Sequence, residues 1–201
     1  MRRADGRARL MSLAVVLALT GLRLVLGPVL VFMAVRGVAG APAVLVVLAA
    51  FGSDYFDGVL ARRCGVDSAA VRRFDSATDT VFFVCAAWAA WVLHADLLRP
   101  WLPLVWAVLV LEVARYLFDW VKFRREAAYH AWSAKGWGLA LFAALIVLLG
   151  WGRAWPLVPL ALGVGVLADL EGLAISALLP VWTHDVPSVW HAWRIRRAGR
   201  A

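Results

Sequence analysis

Residues 42–93 read PAVLVVLAAFGSDYFDGVLARRCGVDSAAVRRFDSATDTVFFVCAAWAAWVL. Two apolar runs, 42–62 and 72–93, flank a short Arg-rich connection. A helix rises about 1.5 Å per residue and a bilayer's hydrocarbon core is about 30 Å thick, so each run can span it. The ends that meet at the connection nevertheless carry Asp54, Asp57, Asp75 and Asp79. Asp54 and Asp57 stand at i, i+3 and Asp75 and Asp79 at i, i+4, so each pair lines one face of its helix. A short connection makes the helices antiparallel neighbours and brings both pairs to one depth. A lone carboxylate at mid-bilayer costs about 2.5–3.5 kcal/mol on insertion scales, and four together repel one another. Such a cluster needs a counter-charge, and hard divalent cations with oxygen ligands suit it.

The rest of the chain supports the membrane reading. Of 201 residues, 64% are hydrophobic and 17% charged, and mean hydropathy is +0.79. Soluble domains are about half apolar and a quarter charged, so an ordinary soluble enzyme or a disordered chain is excluded. The net charge of +8 points to anionic head groups and phosphate-bearing substrates and not to nucleic acid. Six apolar segments are expected, at 10–36, 42–62, 72–93, 101–121, 135–152 and 154–180, giving an all-α polytopic protein in one domain over residues 1–201. Residues 1–9 form a short basic N-terminus and residues 181–201 an interfacial tail. Arg23 interrupts the first apolar run and no small-residue site follows it, so signal-peptide cleavage is not expected.

Basic residues set the orientation. Arg2, Arg3, Arg7 and Arg9 precede the first segment, and Arg62, Arg63, Arg72 and Arg73 lie between the second and third. Lys122, Arg124, Arg125 and Lys135 follow the fourth, while Arg194, Arg196, Arg197 and Arg200 end the chain. The opposite loops hold only Arg36, Arg99 and Arg153. Both termini and the acidic cluster are therefore expected on the cytoplasmic side of a bacterial-type inner or plasma membrane. Cys64 and Cys85 form no CxxC pattern and imply neither a disulfide framework nor a zinc site. The histidines His130, His184 and His191 lack metal-ligand spacing and read as interfacial. Trp101, Trp151 and Trp155 at segment ends read as an aromatic belt.

The stretch from Asp54 to Asp79 resembles the signature of the CDP-alcohol phosphatidyltransferases, D-x2-D-G-x2-A-R-x8-G-x3-D-x3-D. Asp54, Asp57, Gly58, Ala61, Arg62, Asp75 and Asp79 fall in register, and Val71 alone departs, standing where the pattern has its second glycine. Thr20-x2-Arg23-x4-Pro28 is similar to the family's first-helix pattern. The resemblance implies an integral-membrane enzyme of phospholipid synthesis. It would transfer a phosphatidyl group from a CDP-linked lipid, such as CDP-diacylglycerol, to an alcohol and release CMP. It implies two Mg2+ or Mn2+ ions on Asp54, Asp57 and Asp75, with Asp79 close enough to share them. Asp79 would also be the general base, and the family commonly pairs as homodimers.

A pyrophosphate under attack needs its charge neutralised and its leaving group stabilised, which suits that ligand set. Gly58 lets a nucleotide approach the helix, Ala61 keeps that face small, and Arg62 can grip a phosphate bidentately. Ser68, Thr20 and Arg23 would complete the nucleotide pocket. For the acceptor, Arg115 and Lys135 are candidates, which favours a phosphorylated polyol such as glycerol 3-phosphate. Arg115 reads equally well as the partner of Glu112, and Lys135 as a snorkelling helix-start lysine. Asp169 and Glu171 in the sixth segment are expected to face a polar cavity or a dimer contact. Two other classes fit less well. A small transporter would carry its charges near the midplane on broken helices, and a non-catalytic lipid-binding relative would rest on Val71 alone.

Overall fold

The computed structural model describes residues 2–125, 129 and 131–198, with side chains over 9–125, 129 and 131–197. His130 and Arg200, and the side chains of Arg2, Arg3 and Arg7, lie outside the described residues. Among those described the chain is 84% helix with no strand. Its helices are α1 (Arg2–Val35), α2 (Ala41–Arg63), α3 (Ala69–Leu98), α4 (Leu102–Phe123), α5 (Trp132–Trp151), α6 (Leu157–Leu178) and α7 (Val189–Ala198). The first six match the expected segments to within three residues at their ends, except that α1 begins at Arg2, eight residues before the expected start, and α3 runs on to Leu98, five past its expected end.

Helices α3 and α4 run on through a 3-10 turn at Arg99–Trp101, giving one apolar stretch of 55 residues, one of five long apolar helical stretches among the described residues. At about 1.5 Å per residue it would measure about 80 Å, enough chain for two spans. Its helical geometry breaks at His94 (φ −140°, ψ 36°).

The chain forms two compact units. Residues 1–95 and 145–153 make the first, and residues 96–144 and 154–201 the second. In the first unit α1 packs on α2, and the buried positions of α1, Val16, Thr20, Arg23, Gly27, Leu30 and Ala34, recur at helical spacing. The buried stripe of α2 is Ala43, Val47, Ala50, Ser53, Asp57 and Ala61, and that of α3 includes Val71, Thr78, Phe82, Ala86 and Ala89. Small residues dominate because helices in lipid gain by close backbone approach, not by burying apolar surface from water. At Gly27 an added Cβ would lie 3.1 Å from that of Cys85. Large apolar residues such as Phe32, Leu45 and Val84 point outward, as lipid-facing surfaces require.

The turn between α2 and α3 positions the site. Gly65 (φ 63°) ends α2, with Val66 N–H donating to Ala61 C=O at 3.0 Å and Gly65 N–H to Arg62 C=O at 3.4 Å. This 6→1 and 5→2 pair closes a helix that needs a left-handed residue, and Val66 packs against Ala61 beneath it. Ser68 then caps α3, accepting from Val71 N–H through its Oγ at 3.3 Å.

The second unit packs α4 on α6 and α6 on α7. Its apolar cluster holds Tyr129, Ala131, Ile175, Leu179, Val186 and Ala192. Around it, buried Asp119 accepts from Ser176 Oγ at 2.5 Å and from Tyr129 at 3.5 Å. Lys122 Nζ donates to the terminal carbonyls of α6, Ser176 at 2.7 Å and Ala177 at 3.1 Å. Burial pushes the Tyr129 hydroxyl above the ordinary phenol range. Asp119 belongs to no motif, although a carboxylate inside an apolar segment is itself a signal of a buried polar partner.

Candidate active site

Periodicity brings the polar centre together. Asp57 sits in the buried stripe of α2, and Asp54 follows one turn towards the helix start on the same face. Asp75 and Asp79 lie between the buried positions of α3. Onto these four carboxylates α1 projects Arg23, whose side chain is 0% exposed. Nη1 donates to Asp54 Oδ1 at 2.9 Å and to Asp79 Oδ1. Nη2 donates to Asp57 Oδ2 and to Asp75 Oδ1, both at 2.6 Å. Asp57 is buried, whereas Asp54, Asp75 and Asp79 keep about a third of their side-chain surface open. The Thr20 hydroxyl lies 2.7 Å from Asp57 Oδ2 and 2.9 Å from the Val16 carbonyl, so two acceptors share its proton.

Sequence reasoning anticipated that this cluster needs a counter-charge and looked to divalent ions. The structure supplies a guanidinium, from a residue expected at the nucleotide. One guanidinium against four carboxylates still leaves a net negative centre when all are ionised. The donor set also fits a hard cation: one oxygen each from Asp54, Asp57 and Asp75 lie within 4.8 Å of one another.

A profile of CDP-alcohol phosphatidyltransferase matches residues 13–176. The chain belongs to the CDP-alcohol phosphatidyltransferase family. No curated protein and no solved structure matches it. The family moves a phosphatidyl group from a CDP-alcohol to an alcohol within phospholipid biosynthesis, and its members generally use divalent metal ions. Membership and the apolar helices together make this an integral membrane transferase.

The remaining phosphatidyltransferase motif positions are placed as follows. Arg62 is exposed and lies over Gly58, where an added Cβ would stand 3.3 Å from Arg62 Nη1. Glycine there lets the arginine fold across its own helix. Ala61 is buried beside Val66. Ser68 is exposed, and its Oγ accepts the cap hydrogen bond of α3 while its hydroxyl proton stays available to donate. Val71, in place of the motif glycine, is buried in an apolar cluster with Val16, Ala61 and Val66.

Arg115 and Lys135 belong to the second unit. Arg115 Nη2 donates to Glu112 Oε1 at 2.6 Å, the pair that the spacing allowed, and its Nε lies 3.2 Å from Asp169 Oδ1. Gly172 accommodates this arginine, since a Cβ there would come within 2.7 Å of Arg115 Cδ. Asp169 thus meets a cation, while its Oδ2 is buried and has no hydrogen-bond partner among the described residues. Glu171 instead accepts from Val189 N–H at 3.3 Å, at the start of α7. Lys135 is exposed, with Nζ 5.1 Å over the Trp132 ring.

Proposed function

We propose that this protein transfers the phosphatidyl group of CDP-diacylglycerol to the hydroxyl of a phosphorylated polyol such as glycerol 3-phosphate, at the cytoplasmic face and as a homodimer. The observation that carries the reading is the convergence of four carboxylates, from the facing ends of α2 and α3, on one point. Asp54, Asp57 and Asp75 would hold two Mg2+ or Mn2+ ions, with Asp79 beside them. When bound, such ions neutralise the pyrophosphate and stabilise the departing CMP.

The chain's own residues do the rest. Asp79 takes the proton of the acceptor hydroxyl as its oxygen bonds to the phosphorus that carries the diacylglycerol. The bond from that phosphorus to the bridging oxygen breaks, and CMP leaves. Asp79 stands one turn beyond Asp75 and keeps an open side, so an acceptor hydroxyl can come within hydrogen-bond reach. Arg62, exposed and free of a carboxylate partner among the described residues, grips a phosphate, and Gly58 with Ala61 admits the nucleotide. Thr20 orients Asp57 by its hydrogen bond. For the acceptor, Arg115, held by Glu112 and Asp169, would supply one positive charge and Lys135 a second.

The test is CMP release by purified protein in detergent, with CDP-diacylglycerol, Mg2+ and a panel of alcohols. Release with glycerol 3-phosphate or another phosphorylated polyol, lost with EDTA, is expected. Release with serine or free inositol alone overturns the acceptor assignment. No release with any alcohol overturns the enzymatic reading.

A further inference from the structure

Arg23 is fully buried and donates to all four aspartates, and each terminal nitrogen bridges one carboxylate of α2 and one of α3. Its Nε is buried and has no hydrogen-bond partner among the described residues. The guanidinium is therefore held by the carboxylates and by nothing polar along its stem. An oxygen engaged by a guanidinium at 2.6 Å is not free to ligate an ion on the same side. Two cations at one point also repel each other, strongly in a site of low effective dielectric. Resting on the metal-site reading above, we propose that Arg23 is an internal counter-cation that competes with divalent ions for the aspartate cluster and is displaced from it when they bind.

The consequence is an ordered exchange of partners. Before ions bind, Arg23 screens four carboxylates that would otherwise drive α2 and α3 apart. Once displaced, its two-pronged fork seeks another anion, and the charge it matches best is a phosphate oxygen. Arg23 thus positions the carboxylates first and is available to the nucleotide's diphosphate second. Metal loading and diphosphate binding then favour each other, because each supplies what the other displaces.

A purely structural Arg23 would behave in the opposite way, since removing it would splay the carboxylates and weaken ion binding. The sign of one measurement therefore decides. Mn2+ affinity is measured by electron paramagnetic resonance on the full-length protein in detergent, as wild type, Arg23→Gln, Arg23→Lys and Asp57→Asn. Arg23→Gln is expected to bind Mn2+ at least about tenfold tighter than wild type, by loss of a competing charge. Arg23→Lys, which keeps the charge but has one ammonium to offer, should fall between them. Equal or weaker Mn2+ binding by folded Arg23→Gln overturns the proposal.

If Arg23→Gln does not fold, the wild type is treated with phenylglyoxal and its modified arginines are mapped by mass spectrometry. Labelling of Arg23 should rise with Mn2+ while that of Arg99 stays constant. Labelling unchanged or reduced by Mn2+ overturns the exchange. Wild type that binds no Mn2+, or binds it as Asp57→Asn does, overturns the metal-site reading instead. Mn2+ binding that Asp57→Asn abolishes and Arg23→Gln leaves unchanged sinks only the competition.

Discussion

Replacing Thr20 by valine removes one oxygen at nearly constant volume, and the structure sets what that should cost. The hydroxyl lies 2.7 Å from Asp57 Oδ2, and both residues are almost wholly buried. A hydrogen bond to a charged group contributes about 1.5–3 kcal/mol, and water cannot readily replace this one. The Val16 carbonyl at 2.9 Å competes for the same proton, which selects the low end of that range. About 1.5 kcal/mol corresponds to about tenfold in affinity, and loss of a hydrogen bond that orients a metal ligand typically costs 10–100-fold. Thr20→Val should therefore raise the Mg2+ concentration for half-maximal CMP release by about tenfold, and Thr20→Ser should restore it. The assay is CMP release against Mg2+ at saturating CDP-diacylglycerol, with thermal unfolding as the folding control. A folded Thr20→Val protein with unchanged Mg2+ dependence would refute the claim that Thr20 orients Asp57 for an ion.

Further outcomes follow from other contacts. Asp79→Asn should lower CMP release by about 10²–10⁴-fold, the usual contribution of a general base, while Mn2+ binding measured by paramagnetic resonance changes only a few-fold. Gly172→Ala places a Cβ 2.7 Å from Arg115 Cδ. It should destabilise the protein by about 1–3 kcal/mol through overpacking and raise KM for the acceptor more than for CDP-diacylglycerol. Val71→Gly restores the motif glycine but empties a buried site among Val16, Ala61 and Val66. A loss of about 2–4 kcal/mol in thermal or denaturant unfolding is expected from the cavity and the freer backbone, with no gain in CMP release; a gain would show that Val71 obstructs the nucleotide.

The acidic motif was legible because it is local. Asp54 with Asp57, and Asp75 with Asp79, share faces through helical periodicity, and a short turn brings the two faces together. Two further local signals lay in the same stretch: Gly65, which closes α2 in a left-handed conformation, and Ser68, which caps α3. A serine just before a helix caps it by accepting from a backbone N–H, and this leaves the hydroxyl proton of Ser68 free to donate. Asp119 and Ser176 were less legible, because a hydrogen bond across 57 positions leaves no periodic trace.

From residue order alone came the helices, their lipid-facing character and the two acidic stripes, since each depends on hydropathy and on spacing within a few turns. Three-dimensional packing settled which charge answers which. Arg23 lies 31 to 56 positions from its four partners, and Arg115 divides itself between the neighbouring Glu112 and the remote Asp169. Electrostatic energy depends on distance through space and on the surrounding dielectric. Neither exists until the helices have packed.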